Sequence, residues 1–300
     1  MKPGSLKIPC RCSGDGPKTG LWESKGRFYR KSDSKWIARW RCRLCRFTFS
    51  EATFHPCFGQ KKRRINEPLF RLLCSGVSLR RSAKLLGVHR TTVVRKFRFL
   101  AEQARLNQVR FWNDFSASSL PLHEVQFDEV ETFEHSKMKP LSIALLVTRS
   151  RHILGAEVAS MPAKGPLADK SRKKYGRRKD KRSVAMRRLL EKAKLVVSPQ
   201  ARFQSDQNPH YPVWLQQVFP EAIHETTKGL RGCVVGQGEL KATSWDPLFA
   251  LNHTAAMLRA NMNRLFRRTW CTTKTIRGLE DHLALYIDFH NQLLLQSVHS

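Results

Sequence analysis

The chain has 300 residues and a formal charge of +31, with a pI near 10.6, which suits one large domain beside one or two small ones and selects nucleic acid as the partner class. No long apolar segment or lipidation motif supports a membrane partner, and no apolar run follows Met1-Lys-Pro-Gly-Ser as secretion would require. Eight irregularly spread cysteines fit reduced thiols and a few metal ligands better than a disulfide framework, so the expected location is cytoplasmic and nucleoid-associated.

Residues 1–60 hold five of the eight cysteines and read as a first domain. Cys10-Arg-Cys12 and Cys42-Arg-Leu-Cys45 frame a hairpin-length segment, an arrangement that suits a tetrahedral zinc ribbon because each pair supplies two thiolates from one turn. Phe47 and Phe49 would cover its small core, and a domain this small needs Zn²⁺ to stay folded. The first pair is one residue tighter than the usual spacing, and four unligated thiols are the alternative.

Lys61-Lys62-Arg63-Arg64 reads as a basic linker into a second domain over 61–115, helical by period. Within it, Ser78 is placed to cap a short helix ending at Leu86, Ala83 is small where two helices approach, and Gly87 permits the turn. Val88 and Val93 would pack a second helix that begins at His89. This pattern predicts a helix-turn-helix in which His89, Arg90, Thr91 and Thr92 reach base edges while Arg95 and Lys96 engage phosphates. An ordinary helical hairpin with a solvated basic face is the competing reading.

A third domain is expected over 116–300, opening after Ser116-Ala-Ser-Ser119 and Pro121. Short apolar runs at His123–Val130, Leu141–Thr148 and His152–Ser160 predict an antiparallel meander. The stretch 164–181 is too polar to pack and reads as a mobile basic loop, with Lys173, Lys174, Arg177 and Arg178 as nonspecific phosphate contacts. Ser183–Val196 reads as a helix capped by Ser183, Ala201–Asp206 as a strand, Pro209–Phe219 as a helix and Ala222–Thr227 as a strand. Leu251, Ala255, Leu258, Met262 and Leu265 form one apolar stripe on a helix starting near Asp246, and an amphipathic helix over Leu279–Leu295 closes the chain.

Asp128 and Asp206 each sit where a strand-like run carries a carboxylate that packing does not need. Phosphodiester chemistry commonly uses two metal ions roughly 4 Å apart, held by carboxylates on rigid elements, and these two aspartates fit that role. Glu129, Glu131 and Glu134 read as a solvated strand edge.

The order of cysteine pairs, helix-turn-helix, Phe127-Asp-Glu129, Ser205-Asp206 and an Arg-rich closing helix (Leu258–Leu265, then Arg267–Cys271) resembles bacterial insertion-sequence transposases of the DDE group with an N-terminal zinc ribbon. The resemblance implies an α/β, RNase H-like catalytic domain: a mixed five-stranded sheet with helices, preceded by a small zinc ribbon and a helix-turn-helix domain. It implies Asp128 and Asp206 as the first two catalytic carboxylates, Mg²⁺ or Mn²⁺ as the catalytic ion, and double-stranded DNA (element ends and target) as partner. Hydrolysis at the element end and strand transfer would follow, performed by a homo-oligomer assembled on DNA. The family places a Glu near the start of the closing helix, where this chain has Asn252-His253. Asn252 brings no charge, and Glu239, 33 residues after Asp206, is the other candidate for the third position. If neither serves, the chain is a non-catalytic DNA-binding regulator derived from an inactivated transposase.

Overall fold

The computed structural model describes residues 22–31, 34–118, 121–228, 246–266 and 269–298. The chain divides into two compact units, 1–68 and 69–300. It is a mixed α/β protein, with a small antiparallel sheet followed by a larger mixed sheet with helices.

The first unit contains β1 (Trp22–Arg30), β2 (Lys35–Cys42) and β3 (Thr48–Ser50), antiparallel in that order. Its core is small: Cys42 and Phe49 are buried, with Trp22 edge-on to Phe49 at 5.4 Å and Trp40 stacked on it at 5.8 Å. Phe49 thus covers the core, whereas Phe47 is exposed. So few buried side chains stabilise a fold weakly on their own.

The second unit opens with α1 (Asn66–Leu73, which starts in the first unit), α2 (Leu79–Leu85) and α3 (Arg90–Ser118). The Ser78 hydroxyl accepts the Arg81 N–H at 3.3 Å and caps α2. The helix stops because Gly87 takes φ +60°, allowing the Val88 N–H to reach Ala83 O at 3.0 Å and the Gly87 N–H to reach Lys84 O at 3.3 Å. This is a Schellman closure, which satisfies the last carbonyls at a left-handed residue. Helix α3 starts at once and runs for 29 residues.

The sheet follows, in order β6-β5-β4-β7-β8. Strands β4 (Leu122–Phe133), β5 (Pro140–Thr148) and β6 (Ile153–Ser160) form the antiparallel meander, and β7 (Val197–Asp206) and β8 (Ile223–Thr227) add parallel to β4. Strand β5 is buried almost throughout and mostly apolar because both its faces are covered. Ile143, Leu145 and Val147 join one core with α1–α3, α7 (Phe249–Asn261) and α8 (Ile276–Val298). Ala144 and Leu146 face the other, with α5 (Arg182–Ala193) and α6 (Tyr211–Gln216). The apolar stripe is buried at Leu251, Ala255, Leu258, Met262 and Leu265 alike.

Two local expectations change. The stretch 164–181 is not simply a loop: a 3-10 turn (Gly165–Leu167) leads into α4 (Ala168–Tyr175). Ala, Lys and Arg favour helix, and the Ser171 hydroxyl anchors the helix by donating to Met138 O at 2.6 Å. Helix α5 begins one residue before Ser183, and its first N–H, from Arg182, is accepted by Oδ1 of Asp180 at 3.0 Å. The anion at the helix start is therefore Asp180, a placement the helix dipole favours.

Candidate functional site: two strand-end carboxylates

Strands β4 and β7 pair in parallel through Gln126 and Gln204. Asp128 and Asp206 each lie two residues beyond the last pair of this ladder, and they are close enough for the charge of Asp206 to act on Asp128. Both side chains are half-buried.

Oδ1 of Asp128 accepts the Glu129 N–H at 2.6 Å and the Tyr211 hydroxyl at 2.9 Å. Oδ1 of Asp206 accepts the Asn208 N–H at 3.1 Å. Among the described residues, Oδ2 of each carboxylate makes no hydrogen bond and is left for another partner. Burial pushes the Asp128 carboxyl up to about 6, and the negative charge of Asp206 pushes in the same direction. The bonds from Glu129 N–H and Tyr211 favour its ionised form and oppose the rise. Tyr211 itself is held well above the usual phenol range, first by burial and then by the Asp128 charge. Two strand-end carboxylates close enough for the charge of one to act on the other, each with one unengaged oxygen, are chemically suited to a divalent cation.

Glu239 lies outside the described residues. Among the described residues no group of three or more His, Cys, Asp or Glu side chains is arranged to hold a metal ion. Asn252 is exposed on α7, and its amide donates to Oδ2 of Asp246 at 2.9 Å. Asp246 also accepts the Leu248 N–H at 2.9 Å, so the head of α7 is organised by a carboxylate that sequence reasoning passed over.

Gln126 was missed as well. Its amide donates to Gln204 Oε1 at 2.9 Å and Pro247 O at 2.8 Å, while its own Oε1 accepts the Leu251 N–H at 3.0 Å. One buried side chain thus ties β4 to β7 and to the start of α7. A glutamine inside an apolar strand, two residues before Asp128, was the available signal. Tyr211 gave none, since nothing in Tyr211-Pro-Val-Trp marks its hydroxyl as a partner of Asp128.

Glu129 departs from the solvated-edge expectation. It is half-buried, accepts the Ser142 hydroxyl at 2.6 Å and lies 3.6 Å from Arg182 Nη1. Burial raises its carboxyl above the ordinary range, while Ser142 and Arg182 pull it back. Alternation along β4 points it away from the Asp128 side. Glu131, by contrast, is exposed and pairs with Lys164 at 2.9 Å.

At the start of α3, His89 precedes the helix: its Nδ1 accepts the Thr91 N–H at 3.4 Å and lies 2.9 Å from the Thr91 hydroxyl. His89, Arg90, Thr91 and Arg95 are exposed and Thr92 is half-buried. Lys96 differs from expectation: it is only 6% exposed, because the helical period turns it toward the side of Val93 and Phe97, so it is not presented to a phosphate. Lys173, Lys174 and Arg177 are exposed. Arg178 is committed elsewhere, donating to Met161 O and Pro140 O at 3.3 Å each.

In the first unit, Cys10 and Cys12 lie outside the described residues. Cys42 is buried at the end of β2 and Cys45 is exposed, and neither is in a disulfide. The Cys42 N–H donates to Phe47 O at 2.9 Å and the Arg46 N–H to Cys42 O at 3.0 Å, with Arg46 at φ +60°. This tight turn brings the Cys42-to-Cys45 segment back on itself, a shape that suits two thiolates sharing one ion.

No protein-family model matches the chain, and comparison with curated proteins found no match either. Among the described residues no helix is long and apolar enough to cross a membrane.

Proposed function

We propose that the chain is a DNA transposase of the DDE type, with an RNase H-like catalytic sheet that hydrolyses phosphodiester bonds at element ends and joins the freed strand to target DNA. The observation that supports this reading is the electrostatic proximity of Asp128 and Asp206 on adjacent parallel strands, each with one carboxylate oxygen held and one unengaged. A net charge of +31 supplies the attraction for DNA, which is salt-steep because bound Lys and Arg displace counterions.

Asp128 and Asp206 would hold Mg²⁺ or Mn²⁺, with Glu239 as the third carboxylate and Asn252 beside the site. When bound, such ions activate the attacking water or 3′-hydroxyl and stabilise the leaving oxygen. The protein's own share is positioning. Tyr211 and the Glu129 N–H fix the Asp128 rotamer, and Gln126 locks β4, β7 and α7 together beneath the carboxylates.

Helices α2 and α3 serve as a helix-turn-helix, presenting Arg90, Thr91 and Thr92 to base edges. The first unit serves as a zinc ribbon closed by Cys10, Cys12, Cys42 and Cys45. Assembly on DNA would be homo-oligomeric, in the nucleoid.

The test is cleavage of duplex DNA carrying the element ends, with Mg²⁺ or Mn²⁺, by wild-type and Glu239→Gln protein. Metal-dependent nicking that Glu239→Gln abolishes is expected. Tight, sequence-specific binding with no cleavage under either ion would instead assign the chain as a non-catalytic regulator.

A further inference from the structure

Away from the two aspartates, a cavity of about 530 Å³ opens between the α2–α3 corner and the segment that leads into α8. This is the size range of small-ligand sites. Its lining carries Arg80, Arg90, Arg264 and Lys274, and no carboxylate among the described residues that form it. Two aromatic rings join them: Phe97, buried, and Trp270, which is 76% exposed.

Arg264 is the unusual member. Burial pushes its guanidinium down from its ordinary range, and it lies over the Phe97 ring at 5.7 Å. The nearby charge of Asp281 favours the cation, but Oδ1 of Asp281 is already taken by Arg105 at 2.6 Å. Among the described residues Arg264 has no ion pair. A desolvated guanidinium whose nearby carboxylate already bonds another arginine is costly unless an anion completes it.

His282 supplies a second, independent sign. It is 1% exposed and lines the same cavity. Its Nε2 lies 2.8 Å from Leu73 O, which can only accept, so Nε2 carries the hydrogen. Burial first, then the Arg264 charge, holds the ring down to about 4 and therefore neutral. Nδ1 is then a bare acceptor, and it is buried with no hydrogen-bond partner among the described residues. Orphaned buried polar atoms of this kind are uncommon and call for an explanation.

We propose that this cavity binds a single nucleotide unit: the phosphate against Arg264 and its neighbouring cations, the base on Trp270, and a base N–H donated to Nδ1 of His282. Anion, flat aromatic surface and edge donor are the three complements this lining lacks, and a nucleotide carries all three. An inorganic anion offers only the first. The unit has two sources, a free nucleotide or an unstacked nucleotide of a DNA strand, and the chemistry is the same for both. The site is separate from the Asp128 and Asp206 carboxylates and does not depend on cleavage.

The experiment uses the full chain and the Trp270→Ala variant, which keeps every charge and so preserves nonspecific attraction to polyanions. One arm titrates deoxynucleoside monophosphates and, separately, inorganic phosphate by calorimetry. The other titrates a duplex with one unpaired 2-aminopurine, whose fluorescence falls when it stacks. Saturable binding in either arm, weakened at least about fivefold by Trp270→Ala as removal of one stacking ring implies, supports the site and identifies its source. His282→Phe should weaken the same arm while keeping a ring beside Phe97. Equal affinity for inorganic phosphate and nucleotide, or binding in both arms that Trp270→Ala leaves unchanged, would overturn it.

Discussion

The Tyr211 hydroxyl donates to Oδ1 of Asp128 at 2.9 Å, so a side chain from α6 fixes the rotamer of a carboxylate on β4. The bond favours the ionised carboxylate. Tyr211→Phe should therefore raise the Asp128 pKa further, shift the acid limb of a pH–rate profile upward, and lower metal-dependent cleavage by about 10- to 100-fold, as removing a ligand's orienting partner typically does. An unchanged pH profile would show that the hydroxyl is only packing.

On the proposed mechanism, Asp128→Asn and Asp206→Asn should each abolish strand cleavage and leave a gel shift intact, because the carboxylates would act at the chemical step rather than in DNA affinity. Retained cleavage in either variant would remove the two-metal mechanism.

Asp128 also couples stability to pH. Its folded pKa, about 6, lies above the ordinary 3.8, so the folded chain holds this proton more tightly than the unfolded chain. Its stabilising contribution is fully present below 3.8 and lost as pH rises through 6. Without divalent metal, Asp128→Asn should be more stable than wild type at pH 8 by about 1–3 kcal/mol. The gap should shrink at pH 5 and on adding Mn²⁺. Thermal melts at the two pH values, with and without Mn²⁺, read this directly.

Thr92→Ala should reduce discrimination between cognate and random duplex by roughly 1–3 kcal/mol if its hydroxyl meets a base edge. Neutralising Lys173, Lys174 and Arg177 together should weaken all DNA alike and flatten the salt dependence, by about 0.9 in slope for each phosphate no longer neutralised. Competition binding at several salt concentrations separates the two. Altered sequence preference in the Lys173, Lys174 and Arg177 variant, with none in Thr92→Ala, would reverse the roles.

Purified protein should carry about one zinc per chain, and Cys42→Ser should lose it along with the folded first unit, since so few buried side chains do not hold that sheet alone. Metal analysis beside limited proteolysis checks both. A zinc-free, protease-resistant first unit would dismiss the ribbon.

The five strands of the larger sheet were legible because alternation and apolar runs declare themselves locally: β5 spans Pro140–Thr148 where the sequence marked Leu141–Thr148. Gly87 and Ser78 were legible for the same reason, as each acts on its immediate neighbours. What could not be read is what the tertiary fold decides. Glu129 and Asp128 are adjacent carboxylates, and only the pleat sends one toward Ser142 and Arg182 and leaves the other beside Tyr211. Lys96 reads as a surface cation until the helix it sits on acquires a neighbour. Gln126, Tyr211 and Asp246 matter through partners 78, 83 and 6 residues away, and a local pattern reveals no such pairing.

Helix α3 is unbroken over 29 residues. Its first turn carries exposed Arg90 and Thr91, Val93 and Phe97 enter the core with α7 and α8, and Trp112 enters the opposite core with α5 and α6. At 1.5 Å per residue it is a rod of about 43 Å, rooted at its far end in the sheet that bears Asp128 and Asp206. No hinge intervenes, so the rod works as a ruler: wherever its tip seats, the distance to the carboxylates is set by a count of helical turns. One residue inserted into its middle would rotate the tip by about 100° relative to the sheet. The spacing between a seated sequence and a bond within reach of the carboxylates would then be a property of this helix, fixed before any DNA arrives.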